Sequence, residues 1–360
     1  MPFDNECLSI KTNNITNAHA VTKPNGMRVK GLNINAIDVS EDELLNLGNG
    51  ILEELLKDHT TGGNIIWATS DYEHLGEGYL FFDEITIDKI TGEHSQLIQP
   101  RVAKNRDEQR KRSRDMAEVF TPSWVCNAQN NLIDSVWFGR EHVFNTEFNE
   151  GVLHRWETNP EPISGFPTGK TWESYVYEQR MEMACGEAPY LVSRYDTTTG
   201  QFIPVNDRIG LLDRKLRLVN ENATEGPSRK KKNWRKWVKD AYKSTYGFEW
   251  QGDNLLLARE ALLMTFVENY YTRWNELPAL SELKTIATII AWNLWQMDGL
   301  TYGVPGKQTN EELPTPDNIF AGEILCEPEV IQRYCRIMDW SKDRDKLRGE
   351  EIIFKTLIKE

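Results

Sequence analysis

Cysteine is sparse in this 360-residue chain: five residues (Cys7, Cys126, Cys185, Cys326 and Cys335), an odd number with no Cys-x-x-Cys pair. Together with six histidines in no ligand-like spacing, this argues against a zinc or other metal site and implies reduced thiols in a cytoplasmic setting. No apolar run approaches the ~18 residues a membrane span needs, and Met1-Pro2-Phe3-Asp4 opens no signal peptide. Positive charge is short as well: 42 Lys and Arg stand against 55 Asp and Glu, a net charge of −13. Such a chain is not built to coat DNA by non-specific phosphate neutralisation, although a local basic face is compatible with it. There is no internal repeat and no Pro-Pro pair.

What is present suits a folded protein. An apolar share of 39% with 10% aromatics supports a core, and the length fits one large domain with a smaller one, or two of ordinary size. Leucine and isoleucine spacing over 41–56 predicts an amphipathic helix, and 63–68 and 79–82 read as short strands between glycines. Helical spacing returns at 124–137, 172–180, 207–220, 255–266 and 282–295, whereas 139–170 reads as an irregular insertion. The last sixty residues are acidic and Pro-rich and are expected to wrap the surface. Two basic runs, 104–114 and 229–239, could meet phosphates, the second with Trp234 and Trp237 for stacking; solvated helix faces are the plainer reading. Gly165-Phe166-Pro167-Thr168-Gly169-Lys170-Thr171 imitates a phosphate-binding loop but is one residue short of that spacing and follows no strand.

The most informative stretch is 181–191, Met-Glu-Met-Ala-Cys-Gly-Glu-Ala-Pro-Tyr-Leu. It reads as a strand entering a small-residue turn through Glu182, Ala184, Cys185 and Gly186, with a helix beginning at Pro189, Tyr190 and Leu191. Upstream stands Glu118-Val119-Phe120-Thr121-Pro122; downstream stand Tyr246-Gly247-Phe248-Glu249 and Trp295-Gln296-Met297-Asp298-Gly299-Leu300. Taken singly, each is plain architecture: a glycine turn, a proline near a helix start, a surface carboxylate, an Asp-Gly turn.

In this order the elements resemble motifs X, I, II and III of S-adenosylmethionine-dependent N6-adenine DNA methyltransferases of the restriction–modification type (Taq-like and type I/IIG). Met183 stands where that pattern has proline, and Ala188 where it has its second glycine. The resemblance implies an α/β fold: a Rossmann-like methyltransferase sheet with helices on both faces, spanning 116–305. A smaller α+β region, 1–115, precedes it and an extension, 306–360, follows. It also implies S-adenosyl-L-methionine as cofactor, held by Phe120, Thr121, Pro122, Glu182, Ala184, Cys185, Gly186, Glu249 and Asp298. In that scheme Glu249 grips the ribose hydroxyls, a charge-assisted and directional contact. Thr121 addresses the methionine carboxylate, and Asp298 accepts from the cofactor's adenine amine.

Base methylation also needs a pocket for a flipped adenine. The family builds it with an Asn/Asp/Ser-Pro-Pro-Tyr/Phe loop, and no such motif occurs; Asn159-Pro160-Glu161-Pro162 lacks the aromatic and lies between motifs X and I. No catalytic residue is therefore assigned. The resemblance implies the cofactor-binding part of a DNA methyltransferase, with DNA and a second subunit carrying the catalytic and recognition elements as partners. The alternatives are a degenerate methyltransferase-fold subunit with a structural or DNA-binding role, and a methyltransferase acting on RNA or protein.

Overall fold

A computed structural model describes residues 28–29, 32–33, 36–104, 121–151, 153–223, 230–306, 333–341 and 349–358. Near its start, Ser40 caps helix α1 (Glu41–Leu47), accepting a hydrogen bond from Glu43 N, and the first turn is acidic, as a helix N-terminus favours. The helix expected over 41–56 is two: Gly48 and Gly50, at φ 154 and 86, break the ladder before α2 (Ile51–Leu56). The strands expected at 63–68 and 79–82 do not form. The first is reduced to single bridges, Lys57 with Asn64 and Ile66 with Glu84, while left-handed Gly76 and Gly78 curl the second into turns.

Helix α3 (Ser123–Phe138) starts at Pro122 and stops at left-handed Gly139. The expected irregular insertion then contains an antiparallel hairpin, β1 (Asn145–Glu150) and β2 (Leu153–Thr158). Its strands, NTEFNE and LHRWET, are polar at most positions, so no apolar alternation marks them. Helix α4 (Trp172–Tyr177) has a Thr171–Ser174 capping box and ends early because Arg180 already opens strand β3 (Arg180–Met183).

Then follow α5 (Leu211–Asn222), α6 (Lys230–Lys243), β4 (Thr245–Glu249), α7 (Gly252–Trp274), α8 (Leu280–Asn293) and β5 (Leu294–Gln296). The three strands form a parallel sheet in the order β3-β4-β5, with Met181 opposite Tyr246, and Met183 opposite Phe248. Central β4 is buried at every position, as a strand covered on both faces must be. The chain is thus mixed α/β around a small parallel sheet.

Helices do not supply the whole cover. A C-terminal hairpin, β6 (Arg336–Asp339) and β7 (Glu350–Ile353), meets the Tyr246/Phe248 face: Tyr246 Oη donates to Met338 O at 3.2 Å, and Phe354 lies 6.3 Å from Phe248. In this segment the chain does not merely wrap the surface, because Cys335 and Trp340 are core residues; 307–332 and 342–348 lie outside the described residues.

Residues from all three sequence regions, Leu55 and Trp67, Leu216 and Phe248, and Trp340 among them, share one core. Fully buried Arg259 ties the early segment to the sheet, donating to the carbonyls of Leu55, Lys57 (2.9 Å) and Leu294 (3.0 Å). Gln296 adds a two-way bridge to Ile66, 2.8 Å in each direction. Among the described residues no helix is long and apolar enough to cross a membrane.

Candidate cofactor site

The carboxyl ends of β3 and β4 lie side by side, and the turn leaving β3 folds back over β4. Cys185 N donates to Phe248 O at 2.9 Å, and Ala184, Gly186 and Ala188 all take left-handed φ values, 49, 52 and 60. Ala188 thus stands in the conformation that glycine adopts freely, at a steric cost of about 1–2 kcal/mol for an L-residue.

No helix begins at Pro189. Ala188, already left-handed, and the proline end any helical start, and the chain loops on to Gly210 before α5. Asp213 holds that later start, accepting from Ser193 N at 2.8 Å and from Gly210 N at 3.1 Å.

Two carboxylates organise the turn. Glu182, at the end of β3, accepts from Tyr190 N at 3.4 Å and Leu191 N at 3.2 Å. Glu249, at the end of β4, accepts from Gly186 N at 2.8 Å and Gln251 N at 3.2 Å. Burial raises the pKa of both, that of Glu182 well above the usual carboxylate range, and backbone N–H bonds oppose it. On the next strand's exit, Met297 N donates to Glu249 O at 3.0 Å, while Asp298 Oδ1 accepts from Leu300 N at 2.8 Å within its own turn.

Thr121 and Pro122 join this group from the start of α3. Ser123 N donates to Asp196 at 2.8 Å and Thr197 Oγ1 to Thr121 O at 3.0 Å, fastening the helix start to the loop beyond the turn. The Tyr190 phenol meets Thr121 and Cys126, and the nearby Glu182 charge adds to burial in pushing the Cys126 thiol up. Thr121, Glu182, Ala184, Cys185, Gly186 and Glu249 are therefore brought together, Asp298 stands one strand further on, and Phe120 lies outside the described residues. Sequence reasoning left Cys126, Tyr190 and Asp196 out of the site; none carries a local signal, since each matters only through a contact with a distant segment.

The basic runs fare differently. Residues 105–114 lie outside the described residues. In α6, Trp234 is fully buried and cannot stack on a base, and Trp237 packs against Trp172 and Tyr177. Lys231, Arg235 and Lys236 pair with Glu276, Glu282 and Asp240 of the same chain. A small cavity of about 30 Å³, lined by Gln179, Lys243, Tyr246 and Trp340 among others, sits at the opposite, amino end of the strands. It has room for a water rather than a cofactor. Among the described residues no three His, Cys, Asp or Glu side chains converge as metal ligands would. Comparisons with protein-family models, curated proteins and solved structures find no match to this chain.

Proposed function

We propose that the chain is the cofactor-holding part of an S-adenosylmethionine-dependent N6-adenine DNA methyltransferase, on a Rossmann-like sheet and in a cytoplasmic restriction–modification setting. A partner subunit supplies the loop that holds the flipped base and the elements that recognise DNA. One contact carries this reading: Gly186 N on the Glu249 carboxylate, 2.8 Å, across the carboxyl ends of adjacent parallel strands. Ligands of open α/β sheets bind at that end. A carboxylate has about four lone-pair sites, and the backbone N–H groups of Gly186, Gln251 and Trp250 occupy most of those of Glu249, leaving room for a further donor such as a ribose hydroxyl. In this scheme Ala184, Cys185 and Gly186 approach the methionine part and Asp298 the adenine.

The test is calorimetric titration of the full chain with S-adenosylmethionine. Glu249→Ala should weaken binding at least tenfold, given ~1.5–3 kcal/mol for each charge-assisted hydrogen bond lost. No heat at millimolar cofactor, with the chain folded, would refute the proposal. One observation favours the rival reading, a degenerate subunit that binds DNA without cofactor: Glu249 is only 7% exposed, so the turn lies closed over it.

A further inference from the structure

We infer that two copies of this chain pair edge to edge through β3, about a two-fold axis at Met181. Strand β3 is an outer strand of the sheet. Arg180 N donates to Ser244 O at 3.0 Å, and alternate residues of a parallel strand bond the same neighbour. The N–H and C=O of Met181 and Met183 consequently point to the other edge, where no described strand lies. Their side chains, 42% and 69% exposed, leave an apolar face beside buried Tyr246 and Phe248. An open edge of this kind is a template for a further strand.

The residues of β3 indicate which strand. Arg180 and Glu182 share the opposite face of Arg-Met-Glu-Met. The Arg180 guanidinium has buried Nε and Nη2 atoms with no hydrogen-bond partner, and Glu182 is buried with only backbone N–H groups on it. Antiparallel pairing with Met181 opposite its own copy sets each Arg180 opposite the other copy's Glu182. Each residue of β3 then meets its counterpart twice, the self-complementarity that an isologous interface requires.

Helix α3 lies along the same edge. Cys126, near Glu182, and Trp137, bonded to Glu178 at 3.1 Å, place one side of the helix along the β3 line. At 100° per residue, Ile133, Val136 and Leu132 fall on the flank beyond them, away from Arg214 of α5. They are 39%, 85% and 67% exposed, and the helix carries no charged residue besides buried Asp134. The net charge of −13 on each copy opposes association, but that repulsion is screened beyond about 8–10 Å at physiological salt, and this flank has no charge to repel.

The pairing does not depend on cofactor binding, so its failure is separate from that of the methyltransferase reading. Sedimentation velocity on the full chain should give twice 41.7 kDa at micromolar concentration. Val136→Asp with Met183→Lys, both at exposed positions, should raise the dimer dissociation constant at least tenfold with unchanged circular dichroism. Met181→Pro, which removes the central edge N–H, should do the same. Arg180→Glu, which sets two carboxyl groups opposite each other across the seam, should dissociate the dimer. A wild-type monomer at tens of micromolar, or a dimer indifferent to the first two variants, would overturn the proposal.

Discussion

Replacing Glu41 with Gln should remove a large part of the pH dependence of this protein's stability. Glu41 opens α1 at 1% exposure, and no neighbouring residue donates to either carboxylate oxygen. Burial raises its pKa from 4.5 to about 8, the charges of Asp38 and Asp42 add to the rise, and its own backbone N–H opposes it. Glu260 of α7, a second buried carboxyl with an unpartnered oxygen, is raised by burial and by Glu41 and Asp38. The facing cation is Arg194, whose guanidinium is held by Glu268 at 2.8 Å and Ala36 O at 2.7 Å.

The folded chain therefore keeps at least one proton that the unfolded chain releases near the ordinary glutamate pKa. Stability from that proton is complete below about pH 4.5 and is lost as pH rises to about 8. The slope is about 1.4 kcal/mol per pH unit for each such proton, or about 4 kcal/mol between roughly pH 5 and pH 8. Urea unfolding at four pH values across that window, on wild type and Glu41→Gln, measures it. The variant's neutral amide should flatten the slope by about one proton and leave it the more stable protein at the alkaline end. Parallel pH profiles for the two proteins would show that Glu41 is ionised in the folded state and that the reasoning fails.

Two further substitutions address the interior. Glu268 binds Arg194 at 2.8 Å and Arg208 at 2.6 Å, with all three side chains at most 3% exposed. Glu268→Gln leaves two buried guanidinium groups without their anion, and chemical denaturation should show a loss of about 3–5 kcal/mol. At Gly252, an added Cβ would lie 2.0 Å from the Ile66 carbonyl oxygen, backbone that cannot swing aside. Gly252→Ala should lower stability by about 1–3 kcal/mol, readable as a fall in melting temperature; an unchanged value would mean that α7 shifts freely at its start.

The parts of the fold legible in the sequence were those whose signal is local and dense. Helices α3, α7 and α8 show apolar residues on successive turns, and strand ends at Glu182 and Glu249 are marked by the small residues around them. The hairpin of β1 and β2 is illegible because each strand has one aromatic, Phe148 or Trp156, with polar residues two positions to either side of it, so no apolar alternation builds up. Composition at 63–68 and 79–82 suggests two strands, but the bonds between these segments, Trp67 N to Asp83 O and Ala68 N to Phe81 O, are too irregular to build a ladder, and the Trp67 carbonyl goes to Gly252 N instead. In the site, the Glu249 contact with Gly186 follows from two neighbouring strand ends, so its members could be named in advance. The meeting of Tyr190 with Thr121 and Cys126 could not, because it depends on where the loop after Ala188 turns, and that turn was expected to be a helix.

The two site carboxylates share a surrounding but not a role. Burial raises both pKa values, and no cation is among the groups opposing it; only backbone N–H donors are. A salt-bridged carboxylate would be neutralised by its partner, whereas one aimed by N–H groups keeps its remaining lone pairs and a fixed direction. For Glu182 both donors, Tyr190 and Leu191, belong to the turn itself, so its bonds shape the loop over the strand. For Glu249 one donor is Gly186 across the crevice, and Trp250 and Gln251 donate from its own side. Nothing lies within 4 Å of the place where a Gly186 side chain would stand, so the outer side of the turn is open at Gly186. On the proposed reading, a diol would reach Glu249 only as the turn over it opens, and would then meet a carboxylate already aimed by its N–H donors, with little side-chain entropy to lose.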